Sequence, residues 1–189
     1  MQLFKKIAIQ STFVFMMVAF FFGTPKAVES TATPLQSLYM IKEMVPQVKR
    51  VGLMWQQSNY TDSNLMTDIK RASAATGTEV VVEDVESLPQ VASEFRDLVN
   101  EYHVQVLWVV RNDDIMNNSI TRSYLIKNSA ISGIALFAPN TDWVSSGACA
   151  AVVTDGGTTK LVVNQRTMNA LGLKVPEKYA SITQFLANK

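Results

Sequence analysis

Three polar clusters hold the residue types that recognise a small solute. Trp55 is followed by Gln56, Gln57, Ser58, Asn59, Tyr60 and Thr61; Val110 by Arg111, Asn112, Asp113 and Asp114; Pro139 by Asn140, Thr141, Asp142 and Trp143. Ser58, Asn59 and Thr61 bring hydroxyls and an amide suited to an anionic group. Arg111 carries the planar fork that matches a carboxylate. Asn112, Asp113 and Asn140 suit an amine or a hydroxyl, with Thr141 beside them. Trp55, Tyr60 and Trp143 offer rings to an apolar or ring-bearing group. The same residue types also start helices and turns, so capping is the competing reading of each cluster.

Catalysis is harder to build. His103 is the only histidine, and it falls just before an apolar run, at the end away from the three clusters. No His/Cys group has metal-ligand spacing. Asp113 and Asp114 are adjacent at a helix start and do not face each other. The Gly156-Gly-Thr-Thr-Lys160 stretch lacks the spacing and the following helix of a phosphate loop. No GxSxG is present. The expectation is a non-enzymatic protein with no catalytic residue, cofactor or metal. The single Cys149 excludes an internal disulfide and sits among small residues, as a buried hydrophobe would.

Strands must end at the three clusters to bring them together. Apolar runs over 51–55, 79–82, 104–110 and 133–137 read as buried strands. Helical spacing covers 34–44, 61–76 with Gly77 as its stop, and a stretch from Ser87 with Val91, Phe95, Leu98 and Val99 on one face. Further helices run from Asp113 or Asp114 to Ala130, from Thr141 or Asp142 to Gly147, and from Asn164 to Leu171. Runs over 150–154 and 160–163 flank Asp155-Gly156-Gly157, a hairpin signal. Apolar strands separated by helices predict a doubly wound, three-layer α/β sandwich with a mostly parallel sheet and an antiparallel hairpin at one edge. In such sheets ligands collect at the carboxyl ends of the strands, where the three clusters fall.

The N-terminus carries an address. Lys5 and Lys6 precede a mostly apolar run over 7–22, then Gly23, Thr24, Pro25 and the small residues Ala27, Ser30 and Ala32. That order is that of a secretory signal. Ser30 and Ala32 fill the two positions a signal peptidase reads, so cleavage after Ala32 is expected, with Ala27 and Ser30 as alternatives. The expected division is a signal peptide over 1–32 and one domain over 33–189, in a periplasmic or secreted protein without a stable membrane anchor. Removing Lys5, Lys6, Lys26 and Glu29 from 17 basic and 16 acidic residues leaves 14 and 15. A net charge near zero gives no case for nucleic acid or an anionic membrane surface. About 157 residues suit one domain with its own core.

Several segments together resemble a known family. Val45-Pro-Gln-Val-Lys-Arg-Val-Gly-Leu-Met-Trp55, with a helix start over 58–64, is similar to a strand and loop of bacterial ABC-transporter substrate-binding proteins, the periplasmic kind linked to aromatic amino-acid uptake. Val110 to Asp114 and Ile134 to Thr141 fall where that family has ligand-side loops. Leu161-Val-Val-Asn164, Ala170-Leu-Gly-Leu173 and Pro176 resemble its closing segment. The resemblance spans residues 34–176. It implies a flavodoxin-like lobe, and the matched segments belong to the second of the family's two lobes. It also implies ligand contacts at Arg111 and Asp113, although Arg111 departs from the expected apolar or Pro residue. Asp155-Gly-Gly-Thr-Thr replaces a helix and a G-x-x-P stretch of the family. The implied partners are a small solute such as an amino acid, with an ABC permease, a sensor protein or a second copy behind it. The leading expectation is solute recognition by a single lobe. The alternative is a periplasmic interaction or sensor-accessory protein acting by association.

Overall fold

The computed structural model describes residues 30–56 and 63–186. Ser58, Asn59, Tyr60, Thr61 and most of the signal segment lie outside the described residues.

The chain opens with a two-residue strand, β1 (Ser30–Thr31), and helix α1 (Pro34–Met44). Thr33 caps α1 through a capping box with Gln36, and Pro34 takes the first turn, where its missing N–H costs nothing. There follow β2 (Arg50–Trp55), α2 (Ser63–Thr76), β3 (Glu79–Asp84), α3 (Leu88–Asn100) and β4 (Val106–Val109). Two helices, α4 (Asp114–Asn117) and α5 (Ser119–Ser132), lead to β5 (Ala135–Ala138) and the short α6 (Thr141–Ser145). The hairpin is β6 (Ala150–Asp155) and β7 (Thr158–Asn164), followed by α7 (Gln165–Ala170), a 3-10 segment (Glu177–Ile182) and β8 (Thr183–Leu186).

These strands form one sheet in the order β3-β2-β4-β5-β6-β7-β8, with β1 antiparallel to β6. The pairs from β3 through β6 are parallel, β6 and β7 are antiparallel, and β7 and β8 are parallel. From β2 the chain steps outward to β3, then returns across the sheet to β4. The order therefore reverses between β2 and β4, and their carboxyl ends form the switch point of the fold.

Alternation along the central strands fills two cores. Val51, Leu53 and Trp55, with Val106, Trp108 and Phe137, pack beneath α1 and α2 through Leu38, Ile41, Met44 and Ile69. Met54, Leu107, Val109 and Leu136 face α3 and α5 through Phe95, Leu98 and Leu125. Gly52 lies on that second face, where a Cβ would stand 3.0 Å from both Leu98 methyl carbons. The absent side chain lets α3 sit close on the sheet.

The architecture is the expected α/β sandwich, with differences that have local causes. The expected helix from Asp113 to Ala130 is two helices. Asn118 is extended (ψ 132°), and its side chain accepts the Ile120 N–H, drawing the backbone out of the helical ladder. The strand expected from Gly133 starts at Ala135, because Gly133 (φ +68°) ends α5 in the left-handed conformation. Gly156 and Gly157 (φ +56° and +81°) make the hairpin turn as read. β1, the 3-10 segment and β8 carry no signal in the sequence pattern, and β8 places the hairpin one strand in from the edge. That edge is uncharged, with Phe185 half-exposed. The opposite edge, β3, carries Glu79, Glu83 and Asp84. No helix among the described residues is long and apolar enough to cross a membrane.

Candidate functional site

Gln56, at the end of β2, meets the clusters after β4 and β5 on one rim and is tied to them. Asp113 is 4% exposed. One of its carboxylate oxygens accepts the Gln56 backbone N–H at 2.8 Å, and the other accepts the Met116 N–H at 2.8 Å. The first bond crosses the switch point; the second caps α4. The Gln56 side chain returns the contact by accepting the Ile115 N–H at 3.4 Å. The loop after β4 is joined to the loop after β5 by Asn112. Its Oδ1 accepts the Trp143 indole N–H at 3.2 Å, while its Nδ2 donates to Asn117 at 3.1 Å. Asn140 closes the last loop by accepting the Trp143 backbone N–H at 3.3 Å. Gln56 and Asn117 belong to this network although sequence reasoning assigned them no role. Their types occur throughout loops, and nothing in the spacing marked them.

The expected contacts divide by exposure. Asn112 is exposed, and Arg111, Asn140 and Thr141 are partly exposed, so their side chains reach the rim surface. Arg111 and Thr141 already have partners within the protein. Trp143 is fully buried and Trp55 is 2% exposed, so both rings lie beneath the rim. The Trp55 indole N–H finds no hydrogen-bond acceptor among the described residues. A buried N–H without a partner is costly, and here it stands at the carboxyl end of β2, next to the switch point.

Other titratable groups stand apart. His103 is exposed in the turn before β4, at the opposite end of the sheet from the rim. Cys149 is buried, and burial pushes its thiol up to about 12, so it stays protonated. Glu83 on β3 is raised to about 7 by burial, by a hydrogen bond with Glu94 and by the nearby charges of Glu94, Asp97 and Glu101. No group of three or more His, Cys, Asp or Glu among the described residues could hold a metal ion.

A doubly wound lobe with polar loops gathered at its switch point is the build of a solute-binding domain. The chain belongs to the ABC transporter substrate binding protein family, whose model matches residues 28–160. Solved structures agree on the fold. A Streptococcus pneumoniae domain in complex with L-Trp superposes with a TM-score of 0.68 at 20% identity, covering 82% of this chain and 61% of its own. The ligand-free, open form of a Clostridium difficile substrate-binding protein with adhesive properties gives 0.68 at 18%, covering 85% and 61%. A Vibrio cholerae conserved domain protein gives 0.68 at 19%, covering 85% and 62%. This chain therefore spans about three fifths of the length of these structures. No curated protein sequence matches it.

Proposed function

We propose that the protein is an exported, non-enzymatic module that recognises a small polar or amino-acid-like solute at the rim formed by the loops after β2, β4 and β5. The observation that supports this best is the hydrogen-bonded tie across the switch point. Gln56, Asn112, Asp113, Asn117, Asn140 and Trp143 tie the end of β2 and the loops after β4 and β5 into one arrangement. A recognition site needs such preorganisation, and three isolated helix caps do not. In this reading Asp113 positions the rim, its oxygens being engaged by backbone donors. Arg111, Asn112, Asn140 and Thr141 contact the solute, and the Trp55 N–H donates to it. Trp143 shapes the floor. Ser58, Asn59 and Thr61 are assigned to an anionic group of the solute, and Tyr60 to an apolar one. The family and the signal-like N-terminus support a place outside the cytoplasm, with an ABC permease as the natural recipient.

The L-Trp bound by the Streptococcus pneumoniae structure makes amino acids the first solutes to try. Calorimetric titration of the folded protein with the amino acids, aromatic ones first, is the test. Absence of heat for all of them overturns the solute reading.

A second reading is association with a partner, a sensor protein or another copy. Leu88 (41% exposed) and Ile120 (70% exposed), near the starts of α3 and α5 at the rim end, favour it. Light scattering separates the two: a strict monomer that copurifies with nothing counts against association.

A further inference from the structure

We propose that the groove between α5 and α7 is a second binding site, one that takes an aliphatic carboxylate of medium chain length. The inference is independent of the solute reading of the rim.

The groove lies at the other end of the sheet from the rim. The last turns of α5 lead into β5, Gly147 leads into β6, and α7 starts where β7 ends, beside the start of β6. These segments enclose a space of about 440 Å³. Small-molecule sites span roughly 300–1,000 Å³. The apolar walls are Ile126, Ala130 and Ile131 on α5, with Ala170 and Leu171 at the end of α7. Ile131 is 71% exposed. A lone exposed Ile is ordinary, but this one continues an apolar lining, which is the mark of an interaction site. Gly147 keeps one end of the groove open. Its φ is +119°, and a Cβ there would stand 3.1 Å from the Ile126 Cγ2.

The polar groups set the chemistry of the occupant. The Thr167 hydroxyl donates to the Gly147 carbonyl at 3.0 Å, and the Thr167 N–H donates to Asn164 Oδ1 at 3.0 Å. The Gly147 N–H donates to the Val144 carbonyl at 3.0 Å. These groups are already paired, so a polyhydroxyl ligand would find few partners here. What remains is cationic: Lys127 on α5 and Arg166 on α7, both exposed. Neither has an ion-pair partner among the described residues, and no acidic side chain lines the groove. The guanidinium of Arg166 matches a carboxylate in shape, and Lys127 adds a point charge. The apolar lining is wholly aliphatic, with no ring on which an aromatic ligand could stack. An alkyl chain with one anionic head satisfies both halves of the site.

The test is an NMR titration of the folded, isotope-labelled protein with sodium octanoate, octanol and octylamine, each below its micelle or solubility limit. Octanoate is expected to shift the amide signals of residues 126–131, 147 and 166–171. Octanol is expected to bind there about tenfold more weakly, and octylamine more weakly still. Decanoate, with two more methylenes, is expected to bind roughly four- to fifteenfold tighter than octanoate. Lys127→Gln with Arg166→Gln is expected to abolish the advantage of octanoate over octanol; both side chains are exposed, so the fold is kept. Ile131→Ser is expected to weaken octanoate and octanol alike. No shift with octanoate overturns the proposal, as does an octanoate affinity equal to that of octanol or untouched by the double variant. Shifts centred on Gln56, Asn112 and Asp113 also overturn it, by moving the carboxylate to the rim. Saturation by an acidic amphipathic peptide, without a response to octanoate, overturns it in favour of a protein partner.

Discussion

Asp113 accepts the backbone N–H of Gln56 at 2.8 Å, and this one bond fastens the two strand ends between which the sheet reverses direction. The same carboxylate caps α4 through Met116, so one side chain sets both the width of the crevice and the start of the next helix.

Replacing Asp113 with Ala leaves two backbone N–H groups without their charged acceptor. A loss of about 2–3 kcal/mol is expected, read as a fall in the urea midpoint. Asp113→Asn recovers part of it, since an amide oxygen can serve only one of the two donors well. An unchanged midpoint for the Ala variant removes the clasp from the account.

Trp55→Phe separates packing from recognition. It keeps most of the buried ring and deletes an N–H that has no acceptor among the described residues. Stability is expected to hold or rise slightly. Solute affinity is expected to fall by roughly tenfold, the worth of one hydrogen bond of about 1.4 kcal/mol. Equal calorimetric affinity for both proteins excludes Trp55 from solute contact.

The fold was largely legible because its signals are local. The run 51–55 between Arg50 and the polar loop, the Gly156-Gly157 turn and the apolar stripe of α3 each state their structure within a few residues. The break at Asn118 was not legible, since Asn117-Asn118-Ser119 fits a helix interior as easily as a cap until the backbone chooses. β8 was hidden for another reason: Thr183, Gln184, Phe185 and Leu186 show no clear alternation, and their pairing with β7 is a long-range choice. Site residues were legible as types and not as tasks. Asp113 and Asn112 were picked out for a ligand, and the structure shows what they hold within the protein.

Glu83 predicts a pH dependence. Its folded value, about 7, lies above its ordinary 4.5, so the folded state keeps the proton longer. Its contribution to stability is complete below about pH 4.5, is lost as the pH rises toward 7, and is flat above. Glu83→Gln is expected to flatten this slope and to leave the protein about 1 kcal/mol more stable at pH 8, a figure reduced for the solvent screening of a partly exposed group. Parallel slopes for the two proteins, in melts from pH 4 to 8, refute it.

Gly52→Ala tests the close seat of α3. The added carbon meets Leu98 at 3.0 Å and Val104 at 3.2 Å, so the helix or its side chains must shift. Destabilisation of about 1–3 kcal/mol is expected from overpacking. Adding Leu98→Val is expected to restore part of it; two purely additive losses would mean that the contact is not the cause.

The sheet ends differently on its two sides, and this limits how copies could join. Glu79, Glu83 and Asp84 make the β3 edge repel another like it, while the β8 edge is uncharged along its length. Growth into a fibre needs two receptive edges on every subunit. With one, strand-to-strand union of two molecules consumes the receptive side of each, and the assembly stops at a symmetric pair.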